Sequence, residues 1–412
     1  MASYSRSIPI LLMTSGLLLL GNGLLVTLLP LRATFEDFSP SMIGAMGTAF
    51  FAGFAIGCLL GPRLLIRVGH IRAYAGFAAL CAISILILEL FPSAFAWTVI
   101  RGLNGLFFAV LYMVIESWLN EESPSEIRGQ VLSLYIIIAN LATMGGQLMV
   151  NLASVESHKL FTLTAILAAL SLVPLSLAQN ANPKPVETAK INILRLYRLS
   201  PTGFLGCFII GLAEGAFWTL GPVFGQARSM SLAEVTYFMA AFMAGGTISQ
   251  WPLGRWSDKV DRRIVMAICC LVALCTALSL AFVPFENPAI SLGLAVLHGA
   301  FMLPLYALCL AHANDYAPSE ALVETSGGLL LVYSAGAILG PVIVGPLMDL
   351  EGPYTLFVTI AVLFAVFAVY CILRMTLRKI ADPLQRVLFV ALPRTTPTLY
   401  GLEEDQNGDE DN

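Results

Sequence analysis

Apolar residues come in long blocks along this chain, and the polar residues gather between them. Twelve blocks stand out, near 8–30, 41–65, 71–91, 95–119, 129–151, 158–178, 203–224, 232–253, 264–284, 289–312, 325–348 and 354–374. A helix of about 20 residues is about 30 Å long, which is the thickness of a bilayer's hydrocarbon core. The pattern predicts an all-α integral membrane protein with twelve transmembrane helices. The first block runs from Ile8 to Pro30. It is longer than the apolar part of a secretory leader, roughly 7–15 residues, and no A-x-A cleavage site follows it, so it reads as a span.

Most connectors are short. The longest internal one, 179–201, carries Asn182-Pro183-Lys184-Pro185 with Lys190, Arg195 and Arg198, and reads as a linker. The expected organisation is a six-helix bundle over 1–178, the linker, a second six-helix bundle over 202–375, and a cytoplasmic tail over 376–412. The tail ends in Glu403, Glu404, Asp405, Asp409, Glu410 and Asp411, which predicts a solvated, disordered segment. Its short apolar patch, Val387–Leu392, has two possible resting places, the membrane and the protein body.

The two halves are copies of one another. A shift of 192 residues lays Gly23 on Gly215, Thr27 on Thr219, Pro30 on Pro222, and Ala49-Phe50-Phe51-Ala52-Gly53 on Ala241-Phe242-Met243-Ala244-Gly245. A shift of 194 lays Pro124-Ser125-Glu126 on Pro318-Ser319-Glu320 and Gly146 on Gly340. An even number of helices per copy makes the copies parallel in the membrane. Two such bundles can expose one central site to either side in turn. The duplication is the main argument for a transporter.

Composition narrows the picture further. Apolar residues make up 58% of the chain and charged residues 12%, against about 45–50% and about 25% in soluble domains. Mean hydropathy is +0.83. A soluble enzyme, a disordered chain and a nucleic-acid binder are excluded, and a net charge of −4 offers no surface for a polyanion. With both termini in the cytoplasm, eighteen of the 22 basic residues fall on the cytoplasmic side. Arg32, Lys159 and Arg228 fall outside, and Arg101 lies within a span. That bias predicts the orientation. The eight cysteines lie inside apolar blocks and form no CxxC, so neither a metal site nor a disulfide framework is expected. No catalytic cluster points to a membrane enzyme. No P-loop is present, so the expected energy source is the proton gradient rather than a bound cofactor. The expected partners are the bilayer and a small-molecule substrate.

Polar residues inside the spans are the candidate functional groups. Glu214 sits near the middle of the seventh block, and its repeat partner in the first block is Asn22. Desolvation disfavours the charged form of a carboxyl group, so a buried one holds a proton or pairs with a cation. Trp218, one turn further on, adds an indole face that suits a lipophilic cation. Arg101 lies about six residues into the fourth block, where it either binds an anion, adjusts a neighbouring acid or snorkels. His298 in the tenth block titrates near neutral pH and could join a proton path.

Short motifs carry a family resemblance. The loop after the eighth block reads Gly254-Arg-Trp-Ser-Asp258-Lys259-Val-Asp261-Arg262-Arg263. It resembles the G-x-x-x-D-R-x-G-R-R signature of the major facilitator superfamily, with Lys259 and Asp261 as departures. The matching loop of the first half, Pro62-Arg-Leu-Leu-Ile66-Arg67-Val-Gly69-His70-Ile71, has Ile66 where the family has an acid. Arg101-Gly-Leu-Asn-Gly105 is similar to the family's R-x-x-x-G, and Gly336-Ala-Ile-Leu-Gly340-Pro341 to its G-x-x-x-G-P. Family antiporters usually carry the latter in the fifth helix, where this chain has Met144-Gly145-Gly146-Gln147. Glu116-Ser-Trp-Leu, Arg128-Gly-Gln and Gln250-Trp-Pro-Leu-Gly254 resemble the family's uncharacterised bacterial YcaD-type branch.

The resemblance spans about 8–375. It implies two pseudo-symmetric six-helix bundles working by alternating access, and a monomer. It also implies a cytoplasmic gate. Asp258 is expected to meet a helix N-terminus of the opposite half. Arg262 and Arg263 are expected to pair with acids such as Asp315 or Glu320, and Arg67 or Arg72 with Glu116. Export of an amphipathic or cationic compound is preferred, and uptake of a metabolite anion held by Arg101 is the alternative. A non-transporting receptor or assembly platform of the same fold is the rival from another class.

Overall fold

The computed structural model describes residues 7–176, 192–285, 287–318, 321–377 and 389, and the side chains among them except those of 125, 126 and 323. The expected disorder of the tail and most of the linker therefore lies outside the described residues, as does Glu320.

The described residues are helical almost throughout. The first half contains α1 (Ser7–Phe35), α2 (Pro40–Val68), α3 (His70–Leu90), α4 (Ala94–Glu122), α5 (Ser125–Met149), α6 (Lys159–Leu170) and α7 (Leu172–Ser176). The second contains α8 (Ile193–Leu199), α9 (Pro201–Ala227), α10 (Leu232–Lys259), α11 (Arg262–Phe282), α12 (Pro288–Met302), α13 (Leu305–Asn314), α14 (Leu322–Glu351) and α15 (Thr355–Leu377). In a bilayer only structures that satisfy their own backbone groups can cross, and these apolar runs do so as helices. Polar caps close several ends. Ser231 and Glu234 form a capping box at the start of α10, and Asn287 caps α12, with Pro288 in its first turn.

Among the described residues, eleven helical stretches are long and apolar enough to cross a membrane, with α6–α7 and α12–α13 each forming one. The eighth expected span, α10, is 28 residues long but more polar, with Gln250, Arg255 and Asp258 in its last third. The break between α12 and α13 falls at Leu303 and Pro304, and a proline has no N–H to continue the ladder. Within the linker region, α8 is a short helix whose Arg195 pairs with Glu324 at 3.3 Å.

The chain divides into two compact units. Of the described residues, 7–36 and 49–176 belong to the first, and 37–48 and 192–389 to the second. The first turns of α2 thus go with the second unit: Ser41 bonds Asp349 through both its backbone N–H and its hydroxyl, and Thr48 donates to the Ile338 carbonyl at 2.8 Å.

Helix packing within the units repeats contact for contact. A Cβ on Gly23 would strike the backbone of Thr143, and one on Gly215 the backbone of Ala337. Gly146 meets the Leu20 carbonyl as Gly340 meets that of Leu212. Gly53 packs on Gly102 as Gly245 packs on Val296, and Gly105 meets the Phe50 carbonyl as Gly299 meets that of Phe242. Each member of the second pair lies 192 or 194 positions after its counterpart, the offsets of the sequence repeat. Close backbone approach through small residues is how membrane helices associate where burial of apolar surface supplies no force between them. The α1–α5 and α2–α4 seams of the first unit are thus rebuilt as α9–α14 and α10–α12 in the second.

Candidate functional site

In the second unit Glu214 is fully buried in the middle of α9. The Tyr333 hydroxyl on α14 donates to its Oε2 at 2.8 Å. Tyr306 on α13 stands edge-on to Tyr333, with ring centroids 5.1 Å apart. Trp218 is half-buried and stacks edge-on against Phe242 at 5.5 Å. The result is a carboxyl group with a phenol as hydrogen-bond donor, next to a wall of aromatic rings. Tyr333 and Tyr306 belong to the polar and aromatic residues of the spans, some of which are expected to line a cavity, but nothing in the sequence places them beside Glu214. The repeat offers a signal for one of them, because Tyr306 lies 194 residues after Tyr112.

His298 joins the same aromatic cluster, since Phe242 and Phe217 lie against both it and Trp218. It is fully buried, its Nδ1 lies 2.9 Å from the Thr276 hydroxyl, and Phe217, Phe242 and Phe357 surround its ring at 5.6–6.4 Å.

At the equivalent depth of the first unit, Asn22 Nδ2 donates to the Tyr112 hydroxyl at 3.2 Å, and Tyr112 packs on Phe54 and Phe108. Arg101 is buried, with its guanidinium 4.3 Å from the centre of the Phe50 ring. Its NH1 finds no hydrogen-bond acceptor among the described residues. One turn on, Asn104 accepts from Ser84 and Cys81, so that neighbour's carbonyl oxygen is already engaged.

The loop after α10 forms a charge cluster. Arg262 lies 2.8 Å from Asp315 and 3.0 Å from Asp258, and it also donates to Ser257. Arg262 and Asp315 are both buried, so their hydrogen bonds stand in for lost water. Arg263 turns instead to Asp261, which caps α11, and forks onto both of its oxygens, the shorter contact being 2.7 Å. Burial alone would push the Asp261 carboxyl up, but the hydrogen bonds and charge of Arg263 outweigh it and hold that carboxyl below the usual carboxylate range. The Asp258 carboxylate also accepts the backbone N–H of Phe389, at 3.0 Å.

The matching segment of the first unit differs. Arg67 is exposed at the end of α2, and no described ion pair joins it to Glu116. Glu116 is fully buried and accepts from Tyr135 on α5 at 3.0 Å. The reason is helix length. Because α4 continues to Glu122, Glu116 stays inside the bundle rather than at its rim.

This architecture, two repeated bundles with buried polar groups in their spans, defines a membrane transporter. The family model of the Major Facilitator Superfamily matches residues 11–202 and 203–395, and the chain belongs to that family. It is 30% identical over 383 residues to an uncharacterised MFS-type transporter of Yersinia pestis (strain Pestoides F), covering 92% of this chain and 97% of that protein. It is 29% identical to the uncharacterised MFS-type transporter YcaD of Escherichia coli O17:K52:H18 (strain UMN026 / ExPEC), over 88% of this chain and 94% of that one. The nucleoside transporter NupG shares the fold with a TM-score of 0.77 at 15% identity, covering 91% of this chain and all of NupG.

Proposed function

We infer that this protein exports an amphipathic cation across the bacterial inner membrane in exchange for protons, by alternating access of its two bundles, with both termini in the cytoplasm. The observation that carries the reading is Glu214, a fully buried carboxyl group hydrogen-bonded to Tyr333 and one helical turn from Trp218. A single carboxyl away from water accommodates either a proton or a cation, because either one removes the cost of a buried negative charge. Competition for one group couples the two movements: the cation leaves as the proton arrives. The aromatic wall supplies apolar area and ring faces for a lipophilic cation.

Uptake of a metabolite anion is the second reading, and Arg101 favours it. A buried guanidinium with one nitrogen lacking an acceptor among the described residues is a ready partner for a carboxylate or phosphate.

Thermal unfolding of the purified protein with tetraphenylphosphonium or with organic anions separates the two. A ligand present at 100 times its Kd stabilises the folded state by about 2.7 kcal/mol. The export reading expects the cation to raise the unfolding temperature of the wild type but not that of Glu214→Gln. Stabilisation by anions in both, and its loss in Arg101→Gln, would favour uptake.

A further inference from the structure

Phe389 lies 131 positions beyond Asp258, yet it sits on the last turns of α10. Two separate contacts hold it there. Its backbone N–H donates to the Asp258 carboxylate, and its ring covers Gly254, one turn earlier on the same helix face. A Cβ built on Gly254 would fall into that ring. Phe389 is half-buried as a result. Asp258 is at the same time paired with Arg262, which is paired with Asp315. The tail residue therefore closes a chain of charge-assisted contacts at the end of α10.

We propose that the end of α10 is a docking seat for Phe389 of the chain's own C-terminal segment, and that the docked residue restrains the Asp258–Arg262–Asp315 cluster. Asp258 Oδ1 accepts both the Arg262 guanidinium and the Phe389 N–H, so a new donor to that oxygen must displace one of them. The bare surface at Gly254 makes the seat, since a larger residue would deny the ring its place. Phe389 thereby steadies the loop that carries the family signature.

The test uses the full-length protein in detergent. Arg386 and Arg394 flank Phe389 in sequence, so limiting trypsin reports whether the segment is seated. Cleavage at both sites is compared in the wild type, Phe389→Ala and Gly254→Ala, the last of which leaves the tail sequence untouched. Hydrogen exchange of the amides of residues 255–261 is followed in the same samples. Loss of one hydrogen bond and a ring contact should make both cleavage and exchange about fivefold faster in both variants. Equal cleavage in all three proteins would overturn the docking seat. Faster cleavage with unchanged exchange would overturn the restraint on the loop. Neither readout involves a substrate, so this test fails or succeeds independently of the role given to Glu214.

Discussion

Asn22 in the first unit and Glu214 in the second occupy the same place in the repeat and do different chemistry. Both lie on the first long helix of their unit, within one turn of the glycine that seats that helix on its neighbour. Both face a tyrosine, Tyr112 for the amide and Tyr333 for the carboxyl. The amide stays neutral whatever the pH, whereas the carboxyl can take up or lose a charge. One copy of the repeat thus keeps a fixed polar contact where the other carries a titratable one. The ends of the units differ in the same way. After α10 an arginine is held between two acids, and after α2 the acid is replaced by Ile66 and Arg67 is exposed. The scaffold is symmetric and the charges are not.

The comparison can be broken most severely at the charge cluster. Replacing Arg262 with Met leaves Asp315 buried without its guanidinium and should cost about 3–5 kcal/mol in unfolding free energy. Arg67→Met, at an exposed position, should stay within about 0.5 kcal/mol. Chemical denaturation of both variants checks the contrast, and equal losses would mean that the two loops are equivalent after all.

The glycine seams should behave alike in both units, which sharpens the comparison from the other side. Gly340→Leu and Gly146→Leu each push a side chain into a neighbouring carbonyl, and overpacking of this kind costs about 1–3 kcal/mol. Thermal unfolding of the two variants should show losses of similar size. A loss confined to one unit would show that the seams are not equivalent in energy.

A smaller effect is expected at the tyrosines. Tyr333→Phe removes the hydroxyl that Glu214 accepts from and should cost about 1 kcal/mol, with a change in the pH dependence of cation binding. Tyr112→Phe should cost a similar amount and leave that pH dependence unchanged. Isothermal titration across pH distinguishes the two.

Much of the fold could be read from the chain. Apolar run length predicts the spans, and the offsets of 192 and 194 predict which glycines form the seams. The eighth span is the weakest in hydropathy because α10 carries the charges of the loop at its end. The site was less legible. Glu214 stands out because a carboxylate inside an apolar run is costly. Its partner Tyr333 does not, because a tyrosine in a span is ordinary and only the packing of α9 on α14 brings the hydroxyl to the acid. Glu116 looks like a rim residue in sequence and proves to be buried, because the end of an apolar run does not mark the end of a helix. Phe389 shows the same limit at long range: the patch 387–392 is visibly apolar, but nothing in it names Gly254 as its seat.

The central claim, that a proton and a cation compete for Glu214, has a direct measurement. Purified protein in weakly buffered detergent is titrated with tetraphenylphosphonium while proton release is recorded with a pH dye. The account predicts about one proton released per cation bound by the wild type, and none for Glu214→Gln. Cation binding without proton release, or release undiminished in Glu214→Gln, would contradict it.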